Sequence, residues 1–438
     1  MTKRKLNSYA SLFLLSLVFS TLLTLWWPGI MRPDSLNQLA QAQTGHFNDA
    51  NPPIMAFLWR AFSYFSTGPA PLLTFHLGLF FITLTFFQRS MDGKLKYFYA
   101  LVPLFPHVLC YSGFVLKDIG FTYSFLLCFA VLAHHTIQKR PLSILTFMGI
   151  SLLLFYGSAV KYQGIFIMPV ACLWIMSVQF RNMQAYKRML LAALLATLFV
   201  GGVTLFNSLT TSEKSHYWQF VKIYDLAGIS LETGRNYLPE FTKTEHFSIG
   251  KMKEKYNTFR VDEMVNDEPP ILIKSTIEAE RNELWMTWFK TVMNEPLSYL
   301  VHRGRIMLNQ LTISPLKKLD DIKNSADEIT SNVQKIMHLL DKLGIFDFLK
   351  VLTTFLYFLP VSITYFFLGL RAKAKWGDSS GTVLSFLNGS GLLLIGILFI
   401  FSMAAEARYI YLSVCCFHLS HPFAYLCLKN GMKKWKTT

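Results

Sequence analysis

Acidic residues are scarce outside one segment of this sequence, and their positions suggest where chemistry takes place. Residues 208–345 hold 19 of the 26 Asp and Glu residues. The other seven are Asp34, Asp49, Asp92, Asp118, Asp347, Asp378 and Glu406. All of these except Asp92 and Asp378 are predicted to lie on one side of a membrane, near the ends of apolar runs. Ionisable groups at membrane depth are costly, so these residues mark a candidate functional site.

The long loop after the first apolar run contains the densest set of polar residues. It includes the run RPDSLNQLAQAQTG, followed directly by HFNDANPP. Asp34 or Ser35 can cap a short helix that Gly45 ends, and Pro53 can open a second, amphipathic helix. Two such interfacial helices joined by a polar turn would form a shallow chamber above the bilayer. Asp34 is either a helix cap or a functional carboxylate, and the sequence leaves both open.

Later apolar runs place further charged residues on the same predicted side. These are Lys117, Asp118, Lys161, Glu406 and Arg408. Plain structural roles remain open for each. Lys117 and Asp118 can form a local ion pair, Glu406 and Arg408 can pair with each other, and the Lys161 and Arg408 side chains can extend to lipid headgroups. The convergence of separate runs on one side favours a functional role.

The elements that position these residues are apolar runs of about 18 to 25 residues, each long enough to cross a bilayer. Hydrophobic residues make up 52% of the chain and charged residues 16%, which argues against several soluble domains. The first run is followed by WWPG rather than a small-residue cleavage site, which favours a retained helix over a signal peptide. Ten transmembrane helices are predicted, over residues 8–28, 70–88, 97–115, 119–136, 142–160, 163–179, 189–207, 348–370, 382–403 and 408–428.

Charge predicts the orientation of these helices. With the N-terminus inside, the inner segments carry 18 basic residues and two acidic ones, Asp92 and Asp378, as the positive-inside rule expects. Both termini are therefore predicted to be cytoplasmic and residues 208–345 to be outside. The net charge of +16 is a topology signal and does not suggest nucleic-acid binding.

The outer segment contains two predicted helices. Residues 278–313 have apolar residues at helical spacing, and Asn294-Glu295-Pro296 is predicted to end the first helix and begin the second. A membrane-skimming or domain-packing face is predicted from Leu284, Trp285, Trp288 and Phe289. The predicted chain thus has five regions. They are the first transmembrane helix (1–28), a first outer loop with interfacial helices (29–69), helices two to seven (70–207), a mainly helical outer segment (208–345), and the last three helices with an inner tail (346–438).

The order of residues in the first loop resembles that of the GT-C glycosyltransferases. Asp, Gln-x-x-Gln, Thr-Gly and Asn-Asp-x-Asn-Pro-Pro follow the first helix, and the closest likeness is to bacterial relatives with Asp-Ser-x-x-Gln in this loop. Lys117-Asp118, the stretch from Trp288 through Asn294-Glu295-Pro296 to Tyr299, and Glu406-Ala407-Arg408-Tyr409 follow in the expected order. These are multi-spanning, inverting enzymes, such as aminoarabinose transferases and protein O-mannosyltransferases.

The resemblance implies an all-α, GT-C-like fold and a location in a bacterial inner membrane, surrounded by membrane lipids. It also implies that a sugar moves from a polyprenyl-phosphate donor to a lipid or cell-envelope glycan acceptor on the outer face. Asp34 would activate the acceptor hydroxyl. Lys117, Lys161 and Arg408 would hold the donor phosphate, whose negative charge grows as it leaves.

Further residues are implied to bind acceptor or donor, namely Gln38, Gln41, Asp118, Glu406 and Tyr409. Asp49 is a candidate to orient the loop or to ligate a divalent metal, Mg²⁺ or Mn²⁺. Asn51 departs from the family pattern, because the relatives usually carry Lys or His there, and this puts metal use and turnover in question.

Two other classes of function remain open. One is a transporter or flippase of a lipid-linked saccharide, although such proteins tend to place ionisable or broken helices near the midplane. The other is an inactive relative that acts as an assembly subunit. The sequence has no glycine-rich phosphate loop, which excludes a soluble nucleotide-sugar enzyme.

Overall fold

The computed structural model describes residues 3–313, 342 and 354–435. These residues form helices, and the only β pairing among them consists of isolated bridges. Asp347, the start of the helix predicted at 348–370 and most of the outer segment beyond Ile313 lie outside the described residues.

The α-helices of the described residues are numbered here in chain order. They are α1 (Lys3–Trp26), α2 (Pro33–Thr44), α3 (Ile54–Phe62), α4 (Ala70–Arg89), α5 (Phe98–Leu101), α6 (Pro106–Ser112), α7 (Lys117–Gln138), α8 (Ile144–Val160), α9 (Gly164–Gln179), α10 (Ala185–Thr210), α11 (Trp218–Thr233), α12 (Ile249–Lys255), α13 (Asp262–Val265), α14 (Glu278–Asn294), α15 (Pro296–Thr312), α16 (Leu359–Trp376), α17 (Ser379–Phe401) and α18 (Tyr411–Trp435). Short 3₁₀ helices lie at Gly93–Tyr97, Val102–Leu104, Glu240–Thr242, Phe355–Tyr357 and Ala407–Ile410.

Seven helices of the described residues are long and apolar enough to cross a membrane, as expected of a polytopic membrane protein. Two shorter apolar helices, α8 and α9, coincide with predicted spans. The prediction of about ten spans stays a prediction. The seven candidates are Tyr9–Trp26, Ala70–Arg89, Lys117–Gln138, Ala185–Thr210, Phe355–Trp376, Ser379–Phe401 and Ala407–Lys433.

The continuous helix predicted over residues 97–115 was wrong. The chain there forms short pieces, α5, a 3₁₀ turn and α6. Pro103 and Pro106 explain the breaks, because proline has no N–H to continue the ladder and its ring crowds the preceding turn. The apolar composition was recognised correctly, but hydropathy does not report continuity.

The described chain divides into two compact units. The first contains residues up to Glu213, residues 354–394 and the residues from Arg408 onward. Its centre is α7, which is buried along most of its length and packs against α4, α8, α9 and α18. Helix α7 begins at Lys117, so the most enclosed helix of this unit starts with the two charged residues singled out above.

The second unit, Lys214–Ile313 with Ile395–Ala407, surrounds a buried charged network. The Asp225 carboxylate accepts hydrogen bonds from Arg303 and from the Trp288 indole at 2.8 Å, and the His302 ring lies 3.2 Å away. Helix α15 begins at Pro296, as predicted. The predicted apolar face is divided, since Leu284 is fully buried while Trp285 and Phe289 are about half exposed.

Burial predicts how pH affects this unit. Burial lowers the pKa of the His302 imidazole below its ordinary value of 6.5, and the hydrogen bond and charge of Asp225 offset this only in part. In the unfolded chain the imidazole takes up a proton below about pH 6.5 that the folded chain does not, so stability falls as pH falls through this value. The melting temperature is therefore expected to decrease between pH 7.5 and 5.5.

The matched measurement compares His302→Gln with His246→Gln, a change at a partly exposed histidine of the same unit. The first variant should melt with a shallower dependence on pH and the second with the slope of the wild type. The same slope in all three proteins would show that His302 does not cause the acid sensitivity.

Candidate functional site

Backbone pairing brings the start of α2 next to the start of α7. The Ile30 N–H donates to the Gly113 carbonyl at 2.9 Å, and the Val115 N–H donates to the Ile30 carbonyl at 3.0 Å. Gly113 is required at this crossing, because a Cβ there would overlap the Trp26 ring. The Ser35 hydroxyl donates to the Val115 carbonyl and fixes the first turn of α2.

The two predicted helices of the first loop are confirmed as α2 and α3. Gly45 ends α2 in the left-handed conformation, with φ of 78°, and Arg60 of α3 lies directly over it. Pro53 directly precedes α3. A role for Asp34 as the cap is not supported, because Asp34 lies inside the first turn and the Ser35 hydroxyl accepts the Arg32 N–H instead.

The Asp34 carboxylate is held by two cations. Arg408 donates a hydrogen bond from Nη1 to Asp34 Oδ2 at 3.0 Å, and Lys117 Nζ lies 3.7 Å from the same oxygen. The Asp34 side chain remains 32% exposed, whereas those of Arg408 and Lys117 are each 18% exposed. The carboxylate is therefore within reach of a molecule that approaches from solvent.

A second ion pair lies beneath the first. Asp118 is fully buried and accepts a hydrogen bond from Lys161 Nζ at 2.5 Å, while Arg408 Nη1 lies 3.7 Å from its other oxygen. Arg408 thus bridges the two carboxylates. The local Lys117–Asp118 pair considered above is replaced by these longer-range pairs, and Lys161 is buried against Asp118 rather than extended to headgroups.

These residues form what we call the charge cluster, defined as Asp34, Lys117, Asp118, Lys161 and Arg408. It carries three positive and two negative charges at neutral pH, if all are ionised. A fixed surplus of one positive charge at a partly exposed position suits an anion such as a phosphate. The Tyr409 ring covers the cluster, 4.9 Å from Lys161 Nζ and 5.3 Å from Arg408 Cζ.

Gln38 and Gln41, the two glutamines predicted to bind acceptor or donor, make their hydrogen bonds within the first loop. The Gln41 side-chain amide donates to Asn37 Oδ1 at 2.6 Å and accepts the Asn48 N–H at 3.3 Å. Gln38 is buried and donates to the Pro52 carbonyl at 3.4 Å, and its side-chain oxygen has no hydrogen-bond partner among the described residues. Gln41 therefore joins the two halves of the loop, and Gln38 presents one unused acceptor. Neither contact tests the ligand-binding role predicted for these residues.

Asn51 fits the cluster better than the Lys or His expected from the resemblance. Its side-chain oxygen accepts a hydrogen bond from Lys117 Nζ, and the residue is buried. A second cation here would face Lys117 with like charge. This contact could not be predicted from the sequence, since the two residues are 66 positions apart.

The predicted metal ligand Asp49 does not lie in a cluster of metal-binding groups. Its carbonyl accepts a hydrogen bond from the Tyr162 hydroxyl at 2.9 Å, which ties the loop to the turn before α9. Within the described ranges no three or more His, Cys, Asp or Glu side chains are grouped so as to hold a metal ion. The predicted use of a metal stays a prediction, and no step below depends on a metal.

Glu406 belongs to the second unit, where its carbonyl accepts a hydrogen bond from Gln310 at 3.5 Å. Its neighbours Arg408 and Tyr409 belong to the first unit, with the charge cluster. The structure thus brings together Asp34, Lys117, Asp118, Lys161, Arg408 and Tyr409 from the predicted set.

Comparisons with known proteins give no relative. No family model matches the chain, no curated protein matches its sequence, and no solved structure matches its fold. The function must be argued from the charge cluster and the loop around it.

Proposed function

We propose that this protein is a GT-C-type membrane glycosyltransferase that moves a sugar from a polyprenyl-phosphate donor to a lipid or envelope-glycan acceptor. The observation that carries the proposal is the charge cluster. The partly exposed Asp34 carboxylate lies beside two cations, Lys117 and Arg408, and a third cation, Lys161, pairs with the buried Asp118. These groups lie at the ends of helices from distant parts of the chain. The order of residues in the first loop supports the same proposal, because it resembles that of the GT-C enzymes.

The donor phosphate would bind at the partly exposed cations. Lys117 and Arg408 both approach Asp34 from positions where they are 18% exposed, so an arriving phosphate can compete with Asp34 for them. Arg408 can hold phosphate oxygens with a planar fork, and Lys117 acts as a point charge. Lys161 stays with Asp118 and keeps the buried carboxylate neutralised.

The proposed reaction forms one bond and breaks one bond at the anomeric carbon and moves one proton. The acceptor hydroxyl oxygen attacks the anomeric carbon, the bond from that carbon to the phosphate oxygen breaks, and the hydroxyl proton passes to the Asp34 carboxylate. The polyprenyl phosphate leaves with the electron pair of the broken bond, next to Lys117 and Arg408. Attack opposite the leaving group inverts the anomeric centre.

The predicted orientation assigns the site to a membrane face. By the positive-inside argument the cluster lies at the outer face of a bacterial inner membrane, where lipid-linked donors and envelope acceptors meet. Both termini are then cytoplasmic, and residues 208–345 are periplasmic.

One observation favours an inactive relative as the second candidate. Asp34 is engaged by two cations, and one of them, Lys117, also donates to Asn51. A carboxylate that stays in these ion pairs when ligands bind would anchor the loop and accept no proton. An assembly subunit with this site would bind donor without consuming it, and a flippase would move the donor between leaflets unchanged.

Replacing Arg408 by lysine tests the phosphate-binding step. Arg408→Lys keeps the charge but removes the fork, so donor affinity and transfer rate should fall about tenfold or more. The control is Arg371→Lys, at an exposed arginine near the end of α16. Transfer from labelled polyprenyl-phosphate sugar by purified protein in lipid is the measurement. Wild-type affinity and rate in Arg408→Lys would remove Arg408 from the donor site.

A further inference from the structure

A pocket lies in the first unit at the C-terminal end of α4. It has a volume of about 680 Å³ and is bordered by the beginning of α1, the end of α4 and the 3₁₀ helix Gly93–Tyr97. Gln88 donates from its side chain to the Ser11 carbonyl at 3.3 Å and so joins two of its walls. None of the residues of the charge cluster lines it.

Lys96 is the unusual residue of this pocket. It lines the pocket and is only 8% exposed. Among the described residues its ammonium group has neither an ion-pair nor a hydrogen-bond partner, and it lies 5.8 Å from the centre of the Tyr97 ring. The side chain is thus held in the wall of the pocket, and its ammonium group has donors left for a ligand. An anion bound in the pocket would form charge-assisted hydrogen bonds with it.

The other charged groups of the pocket leave it positive. Arg89 and Asp92 also line it, so with Lys96 the lining carries a net charge of +1. Arg89 is exposed and can turn towards a ligand. Arginine binds phosphate oxygens with its planar fork, and lysine binds them as a point charge.

The position of the pocket indicates a ligand that comes from the membrane. Tyr9 begins one candidate span and Arg89 ends another, and both line the pocket. Tyr9 and Leu12 are exposed, so both can contact lipid. Tyrosine is common at the level of the lipid headgroups. The loop from Arg89 to Lys96 is one of those predicted to be cytoplasmic. Basic pockets between helices at this face are suited to anionic lipid headgroups.

We propose that this pocket binds the phosphate of an anionic phospholipid, with Lys96 as its main contact and Arg89 as its second. The site is distinct from the charge cluster and does not depend on the proposed glycosyl transfer. Lipid bound there would hold α1 against α4.

The proposal is tested with full-length protein in neutral detergent. Phosphatidylglycerol or phosphatidylcholine is added, and retained lipid is measured by native mass spectrometry alongside the melting temperature. Wild type should retain phosphatidylglycerol preferentially and melt at higher temperature with it. Lys96→Met should weaken that retention about tenfold, because one charge-assisted contact is lost. Lys94→Met removes the same charge from an exposed neighbour outside the pocket and should behave like wild type.

Two further measurements cover other outcomes. Arg89→Gln, a change at an exposed side chain, should also weaken phosphatidylglycerol retention, and it decides the case if Lys96→Met does not fold. Inorganic phosphate alone should produce no comparable rise in melting temperature. Equal loss in Lys96→Met and Lys94→Met, retention unchanged in Lys96→Met and Arg89→Gln, or full stabilisation by inorganic phosphate would each overturn the proposal.

Discussion

Asp34→Asn is expected to lower the rate of sugar transfer by about 10²–10⁴-fold, the usual loss when general-base help is removed. The amide keeps the size of the side chain but cannot accept the proton of the acceptor hydroxyl. Because Asn also retains an oxygen for Arg408, the loop should keep its place, and expression and melting temperature should stay close to those of the wild type. The measurement is transfer by purified protein in lipid at matched folded amounts.

Glu213→Gln is the control for this change. It neutralises an exposed carboxylate that belongs to the same unit and pairs with the first loop only through its backbone. Its transfer rate should equal that of the wild type. If Asp34→Asn transfers sugar as fast as Glu213→Gln, Asp34 is an anchor of the loop, and the proposed proton step is wrong.

The second large effect concerns stability. Asp118→Asn should destabilise the protein by about 3–5 kcal/mol, because it leaves Lys161 buried without its countercharge. Lys161→Met should cost a similar amount, because it leaves the buried Asp118 carboxylate without its close cation. Arg408 remains, but it lies 3.7 Å from Asp118. The double variant, Asp118→Asn with Lys161→Met, buries neither charge and should be more stable than either single variant.

Denaturant titration of the four proteins in detergent measures this coupling. A double variant that loses the sum of the two single losses would show that the residues do not act as a buried pair. Donor binding by the double variant adds a separate readout. If Lys161 only neutralises Asp118, the double variant should bind donor almost as wild type does.

Local chemistry allowed the first loop to be predicted in detail. Pro33, Gly45 and Pro53 have backbone preferences that operate within a few residues, so both ends of α2 and the start of α3 were predicted from the sequence. The break over residues 97–115 was missed although Pro103 and Pro106 signalled it. There the apolar composition was given more weight than the prolines.

The pairing within the charge cluster was beyond sequence reasoning. Asp34 and Arg408 are 374 positions apart, and no periodicity reports which helix ends meet in a membrane protein. Charge position identified the residues, because each lies at the end of an apolar run. It did not distinguish a local Lys117–Asp118 pair from the observed pairs, since neighbouring opposite charges look the same in both cases.

The central claim is most directly tested by following the donor itself. Wild-type protein in lipid vesicles is given a panel of polyprenyl-phosphate sugars and an envelope lipid extract, and donor, product and free polyprenyl phosphate are quantified. Glycosyl transfer predicts that one donor is consumed, that polyprenyl phosphate appears in equal amount, and that the product has the inverted anomeric configuration by NMR. Donor that stays chemically intact with every sugar in the panel, in the presence of folded protein, would contradict the claim.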